Sequence, residues 1–156
     1  MIYLDSSALA KKYIREKGSE AIQQRITAQT GADAIPFTSI LTYAEILSVF
    51  ARRAKEGTLT AREFTRARRE FETDWAVGLA PLALDSSVLL LVRDILLHFS
   101  LKGSDAIHLA SALWLRDAAR MGTSGRAPKL IFATSDARLG KAAADRNLEI
   151  FNPELV

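Results

Sequence analysis

Five short apolar runs, at residues 2–4, 36–38, 79–84, 129–133 and 149–151, are separated by longer stretches in which apolar residues recur at helical spacing. This alternation constrains the fold more than any other feature. Strands that each wait for a helical crossover before the next strand build a parallel sheet, so the chain reads as an α/β domain. The intervening pattern predicts helices at about 8–15, with Ser6 as cap, and at 19–28. A long apolar helix over 40–55 is opened by Ser39 and closed by Gly57. Thr60-Ala61-Arg62-Glu63 has the form of a capping box and opens a helix through about residue 75. Further helices are predicted at 86–99, 103–120 and 136–145, and Pro81 favours an edge or end position for its strand. The segments 31–35 and 122–128 read as loops, the second being small, polar and turn-rich.

A chain of 156 residues, 49% hydrophobic and 25% charged, is expected to form one globular domain over 1–156 with its own core. At this size no staple is needed for stability, so a metal would serve chemistry. There is no cysteine, which excludes disulfides, thiolate zinc sites and cysteine nucleophiles, and fits a reducing compartment. The opening Met1-Ile2-Tyr3-Leu4-Asp5 lacks the basic start and long apolar run of a signal peptide. The most apolar later stretch, 88–101, is broken by Arg93 and Asp94, so no membrane span is expected and the cytoplasm is the expected compartment. Net charge is only +3, yet seven bases (Arg52, Arg53, Lys55, Arg62, Arg66, Arg68, Arg69) face two acids between residues 52 and 69. That segment is either the solvated face of a helix hairpin or a surface for phosphates.

Four acids stand out. Asp5 follows the first strand, Asp136 follows the fourth, and Asp105 lies at a helix start. Ligands of open α/β sheets bind beyond the carboxyl ends of the strands, where helix N-termini tolerate carboxylates. Taken singly, each of these acids could be an ordinary helix cap. Glu45 is different: it is the only charged residue from 40 to 51. The helix reads as nearly apolar all round and therefore buried, and a buried carboxylate demands a partner, a proton or a metal. Thr42, Glu45 and Ser48 form a polar stripe expected to face the site, and Arg52 and Arg53 are too far along the helix to pair with Glu45. Asp105, His108 and Ser111 repeat the stripe on a second apolar helix, where the lone His108 reads as a hydrogen-bonded structural residue. His98 carries no signal. Two histidines and no cysteine disfavour zinc, whereas an all-carboxylate set suits magnesium or manganese.

The blocks Asp5-Ser6-Ser7-Ala8-Leu9, Thr42-Tyr43-Ala44-Glu45, Ser104-Asp105-Ala106-Ile107-His108-Leu109-Ala110 and Thr134-Ser135-Asp136 together resemble the PIN-domain nucleases, especially the VapC-like toxins of toxin–antitoxin pairs. The likeness runs from residue 5 to residue 136, and the 122–128 connection is its main departure. It implies a three-layer α/β/α sandwich with a short, mainly parallel sheet and a protruding helix hairpin at about 40–76. It implies that Asp5, Glu45, Asp105 and Asp136 hold Mg2+ or Mn2+, with Thr134 and Ser7 as polar companions. It further implies an RNA substrate, a homodimer, and an antitoxin whose tail lies over the basic hairpin.

In that chemistry one or two ions orient and deprotonate a water and stabilise charge at phosphorus. Without metal the clustered carboxylates are expected to repel one another, raising the titration of at least one, and RNA binding is expected to be weak. A haloacid-dehalogenase-type phosphatase would carry an acid where Ser7 stands, and a receiver domain would need a lysine that Thr134-Ser135-Asp136 does not supply. A catalytically idle module binding RNA or protein is the rival reading, and a complete set of four acids weighs against it.

Overall fold

A computed structural model describes residues 1–31, 35–122 and 129–156. Among these residues, β1 (Ile2–Leu4), β2 (Phe37–Ser39), β3 (Ala80–Leu82), β4 (Ile131–Ala133) and β5 (Glu149–Phe151) form one sheet. Its order is β3-β2-β1-β4-β5, and every pairing is parallel. The connections carry α1 (Ser6–Tyr13), α2 (Ser19–Thr27), α3 (Thr42–Lys55), α4 (Ala61–Val77), α5 (Ser86–His98), α6 (Gly103–Met121) and α7 (Ala137–Asp145).

Adjacent residues of one strand enter opposite cores. Ile2, Leu4, Ile131 and Ala133 pack with Leu9, Ile22, Ile46, Phe50 and Phe71 from α1 to α4. Tyr3 and Phe132 point the other way, into Val88, Ile95, Leu109 and Leu139 of α5 to α7. Covering both faces explains why β1 and β4 read as unbroken apolar runs without polar alternation. The expected α/β/α layering follows directly. From β1 the chain winds out through β2 to β3, and α5 and α6 then return it to β4 on the other side of β1. The strand order therefore reverses at β1, where a crevice opens beyond the strand ends.

Local chemistry sets the element boundaries. Pro81 sits in β3, an edge strand, as its missing N–H requires. The capping box is complete: Thr60 Oγ1 accepts from Glu63 N at 3.2 Å, and Glu63 Oε2 accepts from Thr60 N at 2.8 Å. Gly57, at φ +73°, supplies the left-handed residue that ends α3. Two helix starts differ by two residues from the sequence expectation. Asp5, not Ser6, caps α1, which begins two residues early because the Asp5 carboxylate accepts from Ala8 N. α3 begins at Thr42 because Ile40 N still donates to Leu82 O at 2.9 Å, keeping the chain in the sheet, while Ser39 Oγ accepts from Leu41 N. The 31–35 and 122–128 loops fall largely outside the described residues.

The hairpin of α3 and α4 is anchored on α1 by aromatic rings. Phe71 lies 5.5 Å from Tyr13, 6.1 Å from Phe50, 5.7 Å from Tyr43 and 5.7 Å from Trp75, centroid to centroid. On the neighbouring edge, buried Lys11 donates to Glu16 at 2.9 Å and to Glu154 at 2.6 Å, and Arg53 also reaches Glu16. Gly18 closes this corner at φ +87°, where a Cβ would lie 2.7 Å from the Pro153 carbonyl oxygen. Gly18→Ala is expected to cost more than about 1 kcal/mol, since both the backbone conformation and the contact oppose a side chain. Thermal denaturation of the purified variant measures this, and an unchanged melting temperature would mean that the corner yields.

Candidate active site

The first acid sits at the end of the central strand. Asp5 N donates to Ala133 O at 3.1 Å, extending the β1–β4 ladder, and the side chain turns inward until only 3% of the residue is exposed. Its Oδ1 accepts from Ala8 N at 2.8 Å and its Oδ2 from Thr134 Oγ1 at 2.7 Å. Ser7 Oγ lies 2.8 and 2.9 Å from the two carboxylate oxygens. Both hydroxyls are themselves held: Ser7 Oγ accepts from Ser135 N at 2.8 Å, and Thr134 Oγ1 accepts from Asp136 N at 3.0 Å. Ser7 and Thr134 thus stitch the loop after β1 to the loop after β4 around one buried carboxylate.

Burial pushes the Asp5 carboxyl up, against the lowering effect of nearby His108 and of the bonds from Thr134, Ala8 and Ser7. A raised acid agrees with the sequence expectation, but the cause is different. Among the described residues no three histidine or carboxylate groups converge closely enough to enclose a cation by themselves, so desolvation rather than mutual repulsion does the raising.

The other three acids stand at the starts of α3, α6 and α7. Asp136 is half-buried and caps α7, its Oδ1 accepting from Arg138 N at 2.8 Å and Leu139 N at 3.0 Å. Asp105 is half-buried in the first turn of α6. Glu45, in the first turn of α3, has its Oε2 2.7 Å from His108 Nε2, with the Ser6 and Ser104 hydroxyls nearby. Those serines are the chain neighbours of Asp5 and Asp105, at the starts of α1 and α6. Partial burial would push Glu45 up, but its hydrogen bond to His108, the His108 charge and the two serine hydroxyls outweigh this and hold it below the usual range.

Two sequence expectations about α3 need correction. The helix is not buried all round: Tyr43 is 37% exposed and Ala44 and Ser48 also face solvent, while Ile46 and Phe50 form its inner side. Tyr43 was apolar enough to look internal but shields Phe71 and Trp75 from outside, with ring centroids 5.7 and 5.1 Å away. The polar stripe also splits. Thr42 turns inward, 2.7 Å from Thr38 Oγ1, which itself donates to Leu4 O at 2.7 Å. Ser48 faces solvent, and only Glu45 reaches the crevice. His108 is the buried, hydrogen-bonded residue that the sequence leads one to expect, but its partners could not be read there. Its signal was the Asp105, His108, Ser111 stripe, and its buried ring bonds Tyr3 as well as Glu45.

The donor set suits a hard divalent cation. All candidate donors are oxygens, and burial leaves Asp5 short of a compensating charge that a cation would supply. Magnesium commonly takes only one or two carboxylates and completes its shell with water and phosphate oxygens, so a partly open protein shell is adequate. Away from this crevice, a groove of about 990 Å3 runs beside α4, lined by Lys12, Tyr13, Arg62, Arg66, Arg69 and Asp74. It takes up part of the basic segment, whereas Arg53, Arg66 and Arg68 meet Glu16, Glu70 and Glu72.

The family described as PIN domain matches residues 2–145. Ribonuclease VapC45 of Mycobacterium tuberculosis (strain CDC 1551 / Oshkosh) is 32% identical over 143 residues, covering 92% of this chain and 89% of that protein. Ribonuclease VapC49 of strain ATCC 25618 / H37Rv matches with the same identity and coverage. Ribonuclease VapC47 of the first strain is 34% identical over 116 residues, 74% of this chain and 77% of that one. Among solved structures, a chain of FitAB bound to an IR36 DNA fragment superposes with a TM-score of 0.65, covering 99% of this chain and 96% of that one, at 18% identity. That last likeness is one of fold.

Proposed function

The chain belongs to the PIN-domain family, in its VapC-like branch, and from that premise we propose that it is a metal-dependent endoribonuclease acting as the toxin of a toxin–antitoxin pair. The observation that carries the reading is the buried Asp5 carboxylate, stitched by Ser7 and Thr134 between the ends of β1 and β4. In this reading Asp5, Glu45, Asp105 and Asp136 hold Mg2+ or Mn2+. The bound cation supplies an activated water and charge neutralisation at the scissile phosphate. Asp5 presents a fixed carboxylate because its cap bond and two hydroxyl bonds leave it little freedom. Ser7 and Thr134 keep the two loops in register, so Asp136 is delivered to the same crevice through its own backbone N–H. Preorganisation of this kind removes reorganisation from the reaction step.

The partner reading has its own supports. The groove beside α4 carries Arg62, Arg66 and Arg69 and suits the acidic tail of a cognate antitoxin. A homodimer is proposed on the outer side of α5, where Leu89, Leu90, Leu96 and Leu97 are exposed together. The cytoplasm is the proposed compartment; among the described residues no helix is long and apolar enough to cross a membrane.

The test is cleavage of a panel of structured RNAs by purified protein with Mg2+ or Mn2+, beside EDTA and an Asp105→Ala variant. Metal-dependent cutting that the folded variant loses is the expected result. Cutting that persists in the variant, or cutting indifferent to EDTA, would overturn the assignment and favour a binding module.

A further inference from the structure

Three side chains from three elements form one buried line into the site. Tyr3 of β1 is fully buried, stacked on Phe132 at 5.4 Å and 7°. Its hydroxyl lies 3.0 Å from His108 Nδ1. His108 of α6 is 1% exposed, and its Nε2 lies 2.7 Å from Glu45 Oε2 on α3. The Tyr3 and His108 rings meet edge to face, with centroids 6.0 Å apart and planes at 77°.

The direction of the bonds follows from the available protons. The Tyr3 phenol is fully buried, and its hydroxyl has a hydrogen to give. Glu45 is a carboxylate acceptor, so His108 Nε2 carries the hydrogen in that bond while the Tyr3 hydroxyl holds Nδ1 on the other side of the ring. Each group then has a partner, which a polar chain in a low-dielectric core requires. A core in need of volume alone would be served by Phe and Leu at these positions with no desolvation cost. What the polar line adds is a rigid connection between the central strand and the Glu45 carboxylate.

We propose that His108, oriented by Tyr3, is a positioning residue that fixes the Glu45 carboxylate for cation binding. Tyr3 cannot drift, because it is sandwiched in the sheet core against Phe132, and the imidazole transmits that fixity across the gap between α6 and α3. Glu45 lies on a helix otherwise attached to the site edge by the Thr42–Thr38 contact, so its side chain needs a second restraint. His108 supplies it from the protein interior while the Ser6 and Ser104 hydroxyls flank the same carboxylate. Outer hydrogen bonds that orient a metal-binding group commonly contribute roughly 10–100-fold in metal affinity.

This inference rests on the metal-dependent reading above, and the experiment separates the two. The dissociation constant for Mn2+ is measured by electron paramagnetic resonance on the parent, Glu45→Gln, His108→Leu, His108→Gln and Tyr3→Phe proteins, with circular dichroism and melting temperature as controls of folding. Steady-state RNA cleavage is followed in parallel. His108→Leu is expected to weaken Mn2+ binding about 10–100-fold and to lower kcat with KM for RNA unchanged. His108→Gln, whose amide N–H reaches towards the same acceptor, is expected to recover binding to within severalfold of the parent, and Tyr3→Phe to fall between. A folded His108→Leu protein that binds Mn2+ like the parent, while Glu45→Gln does not, overturns the positioning role and leaves the metal reading intact. If His108→Leu does not fold, the Tyr3→Phe protein decides, and parent-like Mn2+ binding there overturns the role. A parent that binds no Mn2+, or a Glu45→Gln variant that binds it normally, overturns both.

Discussion

Asp5→Asn is expected to lower metal-dependent RNA cleavage by about 10³-fold or more while leaving the metal-free protein at least as stable as the parent at neutral pH. The loss of activity follows from removing the carboxylate best placed to share a cation, an interaction of several kcal/mol in the transition state. The stability result follows from the same burial. In the folded protein the Asp5 carboxyl lies above its ordinary value, because desolvation outweighs the bonds from Thr134, Ala8 and Ser7. Between the unfolded and the raised folded value the native state binds more protons, so native stability falls as pH rises through that window and stays lower above it. Asparagine carries no charge to bury. Its carbonyl oxygen can still accept from Ala8 N, and its amide can turn to the Ser7 and Thr134 hydroxyl oxygens, which accept as well as donate. Melting temperatures in EDTA across the acid-to-neutral range measure the effect. The parent should lose stability with rising pH through the Asp5 window, and the variant should not. Parent-like cleavage by a folded Asp5→Asn protein would reduce Asp5 to a helix cap.

The largest stability effect is expected at Phe71. Its ring is fully buried and contacts Tyr13, Phe50, Tyr43 and Trp75, joining α4 to α1 and α3 at one point. Phe71→Ala removes a whole ring where rigid aromatic neighbours on three helices cannot easily collapse into the space, so a cost of about 3–5 kcal/mol is expected. Urea denaturation at constant slope is the measurement, with exposed Met121→Ala as the reference near zero. The effect should extend to the site, because α3 carries Glu45. A shift below about 1 kcal/mol would mean that the hairpin is anchored elsewhere.

What could be read from the sequence, and what could not, divides along the range of the interaction. The strands at Ile2–Leu4 and Glu149–Phe151, the Thr60 capping box and the edge position of Pro81 depend on near neighbours, and all are found where the pattern puts them. The exposure of Tyr43 depends on which face of α3 meets α1 and α4, and twelve residues with one charge do not reveal it. The start of α3 likewise depends on a bond from Ile40 N to Leu82 O, a partner 42 positions away. In the site, the prominence of Asp5 and Glu45 was visible as isolated acids beside apolar runs. The partnership of Glu45 with His108, 63 residues on, was not. Nor was the reason for the raised Asp5 carboxyl, because burial is a property of the assembled layers. The family resemblance supplied the grouping of acids that spacing alone could not.

The Asp5–Thr134 bond also sets a schedule. It joins groups 129 residues apart in sequence, and the strand that ends just before Thr134 lies directly beside the strand that ends just before Asp5. On a ribosome the central strand is therefore made early and must wait, without its β4 neighbour, until residue 136 has left the exit tunnel. In the proposed nuclease reading, a site completed this late would not cut RNA from a partly made chain. Translation itself would thus delay the hazard, because the two loop ends that Ser7 and Thr134 join are made at opposite ends of the chain.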